Sequence, residues 1–348
     1  MPSMSDENED KLLIVAPAWI GDMIISQALY ITLKEQRPNI KIDVLAPKST
    51  LGLATRMPQI NHCIEQPLQH GELKLHSRYQ QAKRLRKKHY SQAIILPNSF
   101  KSALTPWWAH IKKRTGWLGE QRYLLLNDIR KLDKQQYISL QERYIALGLP
   151  NHANLPDNLA KPELRVSADN LNNCLIKLNL TQDHRPIIAL CPGAAYGSAK
   201  RWPIEYFIKI ATHFLQQNYQ VWLFGSIKEQ VLANDIQTAT ANTCFNLTGK
   251  TSLLDAIDLL SIATLAICND SGLMHIAAAV NIPVIALYGS SSPYYTPPLT
   301  TKASILQLNY DCIPCFKREC ALQAEQYLRC LKHLTPDMVI TASEKLLT

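Results

Sequence analysis

The stretch Lys11-Leu-Leu-Ile-Val-Ala-Pro17, continued by Ala18-Trp-Ile-Gly-Asp-Met-Ile-Ile25, decides how this chain is read. Its apolar run is short and shows no alternation, as expected of a strand covered on both faces of a parallel sheet. From Ile24 to Leu33 the apolar residues recur at helical intervals, so the strand turns straight into a helix. Asp22 follows a glycine at that turn, where open α/β sheets bind ligands. The simpler reading of the same carboxylate is a helix cap.

The grammar repeats along the chain. KIDVLAP (41–47) and SQAIILPNS (91–99) are expected strands of the same sheet. PIIALCPG (186–193), QVWLFGS (220–226), LAICND (265–270) and PVIALYGS (283–290) form a second set, with helices expected at SLLDAIDLLSIA (252–263) and GLMHIAAAV (272–280). Such alternation implies two doubly wound α/β domains. The polar, proline-containing stretch from about Pro150 to Pro162 is the best linker, and helical spacing resumes between about Asn170 and Leu180. The domains are therefore set at residues 1–165 and 166–348, with the last helix free to pack back on the first.

Composition narrows the function classes. At 348 residues and 47% hydrophobic, the chain can bury two cores. Its net charge is +9, yet SDENED near the N-terminus is acidic and the basic residues gather between Lys74 and Lys134. That points either to an anionic partner for the first domain or to a solvated basic face. No apolar run reaches the ~18 residues of a membrane span, and the N-terminus lacks a signal peptide's order. A cytosolic chain is expected, with most of its nine cysteines as free thiols.

Two nucleotide signatures fail. TGKTS (248–252) resembles the end of a P-loop, but the position of that motif's first glycine holds Cys244, so Lys250 reads as a surface turn residue. No strand ends in G-x-G-x-x-G, which disfavours a dinucleotide-dependent oxidoreductase. Two other strand ends carry more. Cys191-Pro-Gly-Ala-Ala-Tyr-Gly-Ser-Ala-Lys-Arg-Trp-Pro203 can gather backbone N–H groups and the Lys200 ammonium around a phosphate, or form a plain solvated loop in which Trp202 packs. Asn269-Asp-Ser-Gly-Leu-Met-His275 opens an Ala-rich helix whose N-terminus can hold a diphosphate, with Asp270 or Ser271 as cap and His275 one turn in.

Taken together and in this order, WIGDMIISQALY, PGAAYGSAKRWP and NDSGLMHIAAA resemble the ADP-heptose:lipopolysaccharide heptosyltransferases of glycosyltransferase family 9, most closely its type II members. LPNSFKSAL (96–104) and RTGWLGE (114–120) add to the likeness, which runs from about Lys11 to the C-terminal helix. The resemblance implies the GT-B architecture, two Rossmann-like domains facing across a cleft, and an inverting transfer of L-glycero-D-manno-heptose from ADP-heptose to the heptose of the lipopolysaccharide inner core. It implies Asp22 as general base. Gly193, Lys200, Glu229, Asp270, Ser271, Gly272 and His275 would bind the donor, with Lys200 on the diphosphate; Gly21, Lys101 and Arg114 would contact the acceptor. One base suffices for inversion, and amides with Lys200 stabilise the departing ADP, so no metal and no cofactor is required. Asp270, repelled by a diphosphate, is expected to cap the helix or accept from sugar hydroxyls.

The implied acceptor, built on Kdo and lipid A, is anionic. Lys74, Arg78, Lys83, Arg84, Arg86, Lys87 and Lys88 would face it and the cytoplasmic face of the inner membrane, with no nucleic acid among the partners. Ala194-Ala-Tyr196 lacks the hydroxyl pair of the type I pattern, which weakens side-chain phosphate contacts there. Cys312, Cys315, Cys320 and Cys330 could bind zinc, but the second pair is not a tight C-x2-C and free thiols are favoured. The alternatives are a different core acceptor or a non-catalytic nucleotide-binding protein.

Overall fold

The computed structural model describes residues 10–66, 73–180 and 183–348. Most of the acidic N-terminal stretch lies outside them. The chain divides into two compact units, the first ending at Pro162 and the second beginning at Glu163.

In the first unit the order is β1 (Lys11–Val15), α1 (Ile20–Gln36), β2 (Lys41–Pro47), α2 (Lys48–Thr55), β3 (His62–Gln66), α3 (Leu75–Arg86), β4 (Gln92–Ile95), α4 (Phe100–Trp108), β5 (Lys113–Trp117), β6 (Asp128–Arg130) and α5 (Leu140–Gly148). The strands pair in parallel as β3-β2-β1-β4-β5-β6. Leu12 to Val15 are buried, which explains their unbroken apolar run.

The second unit runs α6 (Ala168–Lys177), β7 (Ile187–Cys191), α7 (Ile204–Gln216), β8 (Gln220–Leu223), α8 (Gln230–Ala239), β9 (Phe245–Asn246), α9 (Leu253–Leu260), β10 (Leu265–Asn269), α10 (Gly272–Ala279), β11 (Val284–Tyr288), β12 (Ala303–Gln307), α11 (Arg329–Lys332) and α12 (Pro336–Leu347). Its parallel sheet is ordered β12-β11-β10-β7-β8-β9. Numbered within the unit, that is the order of the first sheet, so the Rossmann arrangement occurs twice.

The structure describes both joints of the expected division. The polar stretch after Pro150 is a strap on the first unit: Ala153, Leu155, Leu159 and Ala160 pack on Ala28, Ile145 and Leu149. Gln141 Nε2 also donates to Ala160 O at 2.7 Å. Its four apolar residues are scattered among polar ones, which hid them from a composition count. The last helix, α12, puts Val339 and Ala342 into the core of the second unit, on the layer that holds Phe207, Ile210 and Phe214 of α7.

Candidate active site

In a sheet of this order the first strand is central, and the connections leave it in opposite directions. The crevice lies beyond the carboxyl ends of the two strands at that reversal. In the first unit those strands are β1 and β4.

The β1–α1 turn carries the candidate base. Trp19 occupies the N-cap of α1 without a side-chain cap bond, so Gly21 is the second helical residue and Asp22 the third. Asp22 is thus a half-buried acid in the first turn, where the helix dipole favours its ionised form, and not the N-cap residue. Lys101 follows β4 as the second residue of α4, half-buried, and its carbonyl receives Arg78 Nη1 at 3.0 Å.

Arg122, absent from the sequence expectations, clamps this edge. Fully buried, it donates through Nη1 to Pro97 O (2.7 Å) and Ser102 Oγ (3.1 Å), and through Nη2 to Trp117 O (2.5 Å). Burial pushes its pKa down to about 10, which still leaves it charged at neutral pH. Glu120 Oε2 accepts from the Phe100 N–H at 2.6 Å and so caps the start of α4. Arg114 lies elsewhere. It is the second residue of β5, at the end away from the carboxyl edge, and its guanidinium donates to Leu125 O (2.7 Å) and Ile111 O (2.5 Å). The RTGWLGE segment covers the strand from its second residue on, and only Trp117 onward reaches the edge.

In the second unit the reversal falls between β7 and β10. Lys200 closes a short 3-10 turn after β7, and its Nζ donates to Asp270 Oδ2, just past β10, at 2.5 Å. Ser291 Oγ donates to the same oxygen. The Lys200 and Asp270 side chains are only 16% and 5% exposed. Asp270 therefore neither caps α10 nor is open to sugar hydroxyls through that oxygen. Between the loops, Asn269 is fully buried: its Nδ2 donates to Pro192 O at 2.7 Å, and its Oδ1 accepts from the Trp202 N–H at 3.1 Å.

The N-cap of α10 is Ser271, whose side chain makes no cap bond and whose Oγ is buried without a partner. Thr248 Oγ1, just past β9, and Ser290 Oγ, just past β11, share that condition. An unpaired buried hydroxyl costs roughly 1–3 kcal/mol, and Ser271 and Ser290 carry theirs just past the neighbouring strands β10 and β11. Gly193 and Glu229 also meet. A Cβ on Gly193 would lie 2.6 Å from Glu229 Cγ, so only glycine lets the loop approach. Glu229 Oε2 accepts from the Ser226 N–H at 2.8 Å, which leaves Oε1 beside the glycine.

His275 is buried in α10 beside this cluster. Burial outweighs the pull of Asp270 and lowers its pKa to about 4, so the imidazole is neutral. Lys250 is exposed in a turn, as expected once the P-loop is set aside.

The basic run 74–88 is not uniform. Arg78 is buried and ties α3 to Leu73 O and Lys101 O, and Arg86 Nη2 donates to Trp108 O at 2.7 Å. Lys74, Lys83, Arg84, Lys87 and Lys88 are exposed. Near the C-terminus, Cys330 is buried, and its thiol pKa rises to about 11, first from burial and then from Cys312, Cys320 and Cys315 nearby. Among the described residues no group of three or more His, Cys, Asp or Glu is disposed to hold a metal ion.

A family profile described as glycosyltransferase family 9 (heptosyltransferase) matches residues 78–325. The chain belongs to glycosyltransferase family 9. It is similar to the lipopolysaccharide heptosyltransferase 2 of Escherichia coli K12, 44% identical over 97% of this chain and 98% of that one. It is also similar to the lipooligosaccharide heptosyltransferase 2 of Haemophilus influenzae, 46% identical over 85% and 88%. Among solved structures, the E. coli ADP-heptose lps heptosyltransferase II superposes with a TM-score of 0.86 at 40% identity, covering 97% of this chain and 98% of the other. The chain is accordingly a glycosyltransferase of GT-B type.

Proposed function

We propose that this enzyme transfers L-glycero-D-manno-heptose from ADP-heptose, with inversion, to the heptose of the lipopolysaccharide inner core. The observation that carries the reading is the complementary chemistry of the two sheet reversals. One ends in a first-turn carboxylate; the other ends in an ammonium, a helix N-terminus and buried hydroxyls without partners.

In this reaction the acceptor hydroxyl attacks the anomeric carbon, its proton passes to Asp22, and the C1–O bond to ADP breaks. The helix dipole keeps Asp22 ionised and ready to take the proton. ADP gains a negative charge as it leaves. Lys200, Ser271, Gly272 and the amides of the loop after β7 strengthen their hold on it as that charge develops. Gly193, Glu229 and neutral His275 shape the donor pocket. The charges needed for departure all come from the chain, so the scheme calls for no resident cation.

Lys101, and Gly21 beside the base, are the acceptor-side residues of this reading. Arg114 is better assigned to holding its own loop. An acceptor anchored in a bilayer also suits the α3 and α4 surface. Exposed Leu73, Leu75, Tyr79 and Trp107 accompany the exposed lysines there, a combination that fits an anionic membrane face. No helix among the described residues is long and apolar enough to cross a membrane, so the contact would be peripheral.

Asp22→Asn tests the assignment. The variant should bind ADP as the parent does and lose turnover by about three orders of magnitude. Near-normal turnover removes Asp22 from the role of base. Offering purified cores that end in Kdo or in one heptose reads the acceptor: extension of the Kdo-terminated core instead would favour the type I activity.

A further inference from the structure

The segment between β12 and α11 lies directly on the loop proposed to hold the donor diphosphate. The Ala199 N–H donates to Arg318 O at 3.0 Å, and Gly197 is so close to that carbonyl that no Cβ would fit. Tyr196 Oη donates to Phe316 O at 2.7 Å, while the Phe316 N–H donates to Ser290 O at 2.7 Å. Residues 316–318 are thereby fixed to the loops after β7 and β11, and Arg318 is placed by backbone geometry.

Its side chain reaches the same aromatic ring as Lys200. The Arg318 guanidinium carbon is 5.5 Å from the centroid of the Tyr196 ring, and Lys200 Nζ is 5.1 Å from the same centroid. Lys200 already has its anion in Asp270. Arg318 is exposed and is paired with no carboxylate among the described residues. The Tyr196 ring holds both cations at this loop, so a polyanion bound at the rim of the ring would be attracted by both.

We propose that Arg318 is a second cation for the donor diphosphate, acting with Lys200 across Tyr196. The proposal rests on the donor site assigned above. A planar guanidinium offers a phosphate two parallel N–H donors, which the Lys200 ammonium cannot. Arg318 also supplies the positive charge that Asp270 cancels at Lys200, and its effect grows as ADP becomes the leaving group. Distance in sequence concealed it: SAKRWP and CFKREC are more than a hundred residues apart and come together only in the fold.

Calorimetric titration with ADP and with adenosine, on the full-length protein and on Arg318→Gln and Arg318→Lys, tests this. Glutamine keeps a planar polar end without the charge. Arg318→Gln should weaken ADP binding by about tenfold and leave adenosine binding unchanged, with Arg318→Lys between it and the parent. Added salt should weaken ADP binding less in Arg318→Gln than in the parent. ADP affinity within about twofold of the parent in Arg318→Gln, or an equal loss for adenosine, overturns the proposal. A parent protein that binds adenosine but gains nothing from the diphosphate would instead sink the donor site itself.

Discussion

Asp270→Asn removes the anion that faces Lys200 without changing the shape of the side chain, and so isolates the charge pairing at the centre of the proposed donor site. The two side chains are 16% and 5% exposed and 2.5 Å apart. Breaking a buried pair by deleting one partner costs about 3–5 kcal/mol, because the survivor stays desolvated. The low end applies here, about 3 kcal/mol, since a lysine stem lets the ammonium reach toward water. Lys200→Met should cost a similar amount, with Asp270 left to Ser291 alone. The double variant should then lose about 3 kcal/mol, not ~6, a coupling of roughly 2–3 kcal/mol.

Amide hydrogen exchange of β7 and β10 measures this, because it reports opening of the second unit and does not require the whole chain to unfold in one step. Repeating it with saturating ADP adds a control: a phosphate beside Lys200 replaces the lost carboxylate, so Asp270→Asn should recover part of its deficit. If the two single losses add to within ~0.5 kcal/mol in the double variant, the pair is not energetically coupled, and the account of Lys200 as held by Asp270 is wrong.

His275 makes stability depend on pH. Its folded pKa, about 4, lies below the ordinary 6.5, so the unfolded chain binds the extra proton between those values. Stability is full above pH 6.5 and falls as the pH drops toward 4, by up to ~3 kcal/mol at ~1.4 kcal/mol per unit. His275→Gln should flatten the melting temperature across that window, and an unchanged slope would mean another group is responsible. Ser271→Ala deletes a buried hydroxyl that has no partner, so thermal stability should hold or rise, while ADP affinity falls about tenfold. A clear loss of stability with ADP affinity intact would place that hydroxyl in the fold and not in the site.

Burial made the central strands legible. Ile187 to Cys191, Leu265 to Asn269 and Val284 to Tyr288 are covered on both faces, so their sequences carry no polar interruption and announce themselves. The edge strands do not. His62–Gln66 is largely accessible and mixes His, Glu and Gln with two apolar residues, and Ala303–Gln307 has no buried residue. The site divides in the same way. Asp22, Lys200, Asp270 and Ser271 follow buried strands within ten residues, where glycines and polar residues stand out. Arg122, Ser291 and Arg318 act mainly through partners distant in sequence, and nothing local distinguishes them. Arg114 differs for a related reason: a family-like segment can span a strand while only its carboxyl end faces the crevice, and Arg114 stands near the other end.

The Lys200–Asp270 pair also bears on how the site can hold a diphosphate at all. A lysine already hydrogen-bonded to a buried carboxylate offers an incoming anion much less field than a free ammonium would. The deficit has to be met by groups without a counter-charge of their own. The start of α10 is one, worth about half an elementary charge close to Ser271 and Gly272. The amides of the loop after β7 are another, brought close by the room that Gly193 and Gly197 leave. Arg318 is the third. In the proposed reaction, positive charge spread over three sources with one carboxylate left in place would hold the ground-state donor loosely and tighten its grip as ADP departs. That is the condition under which binding energy lowers a barrier instead of deepening a complex.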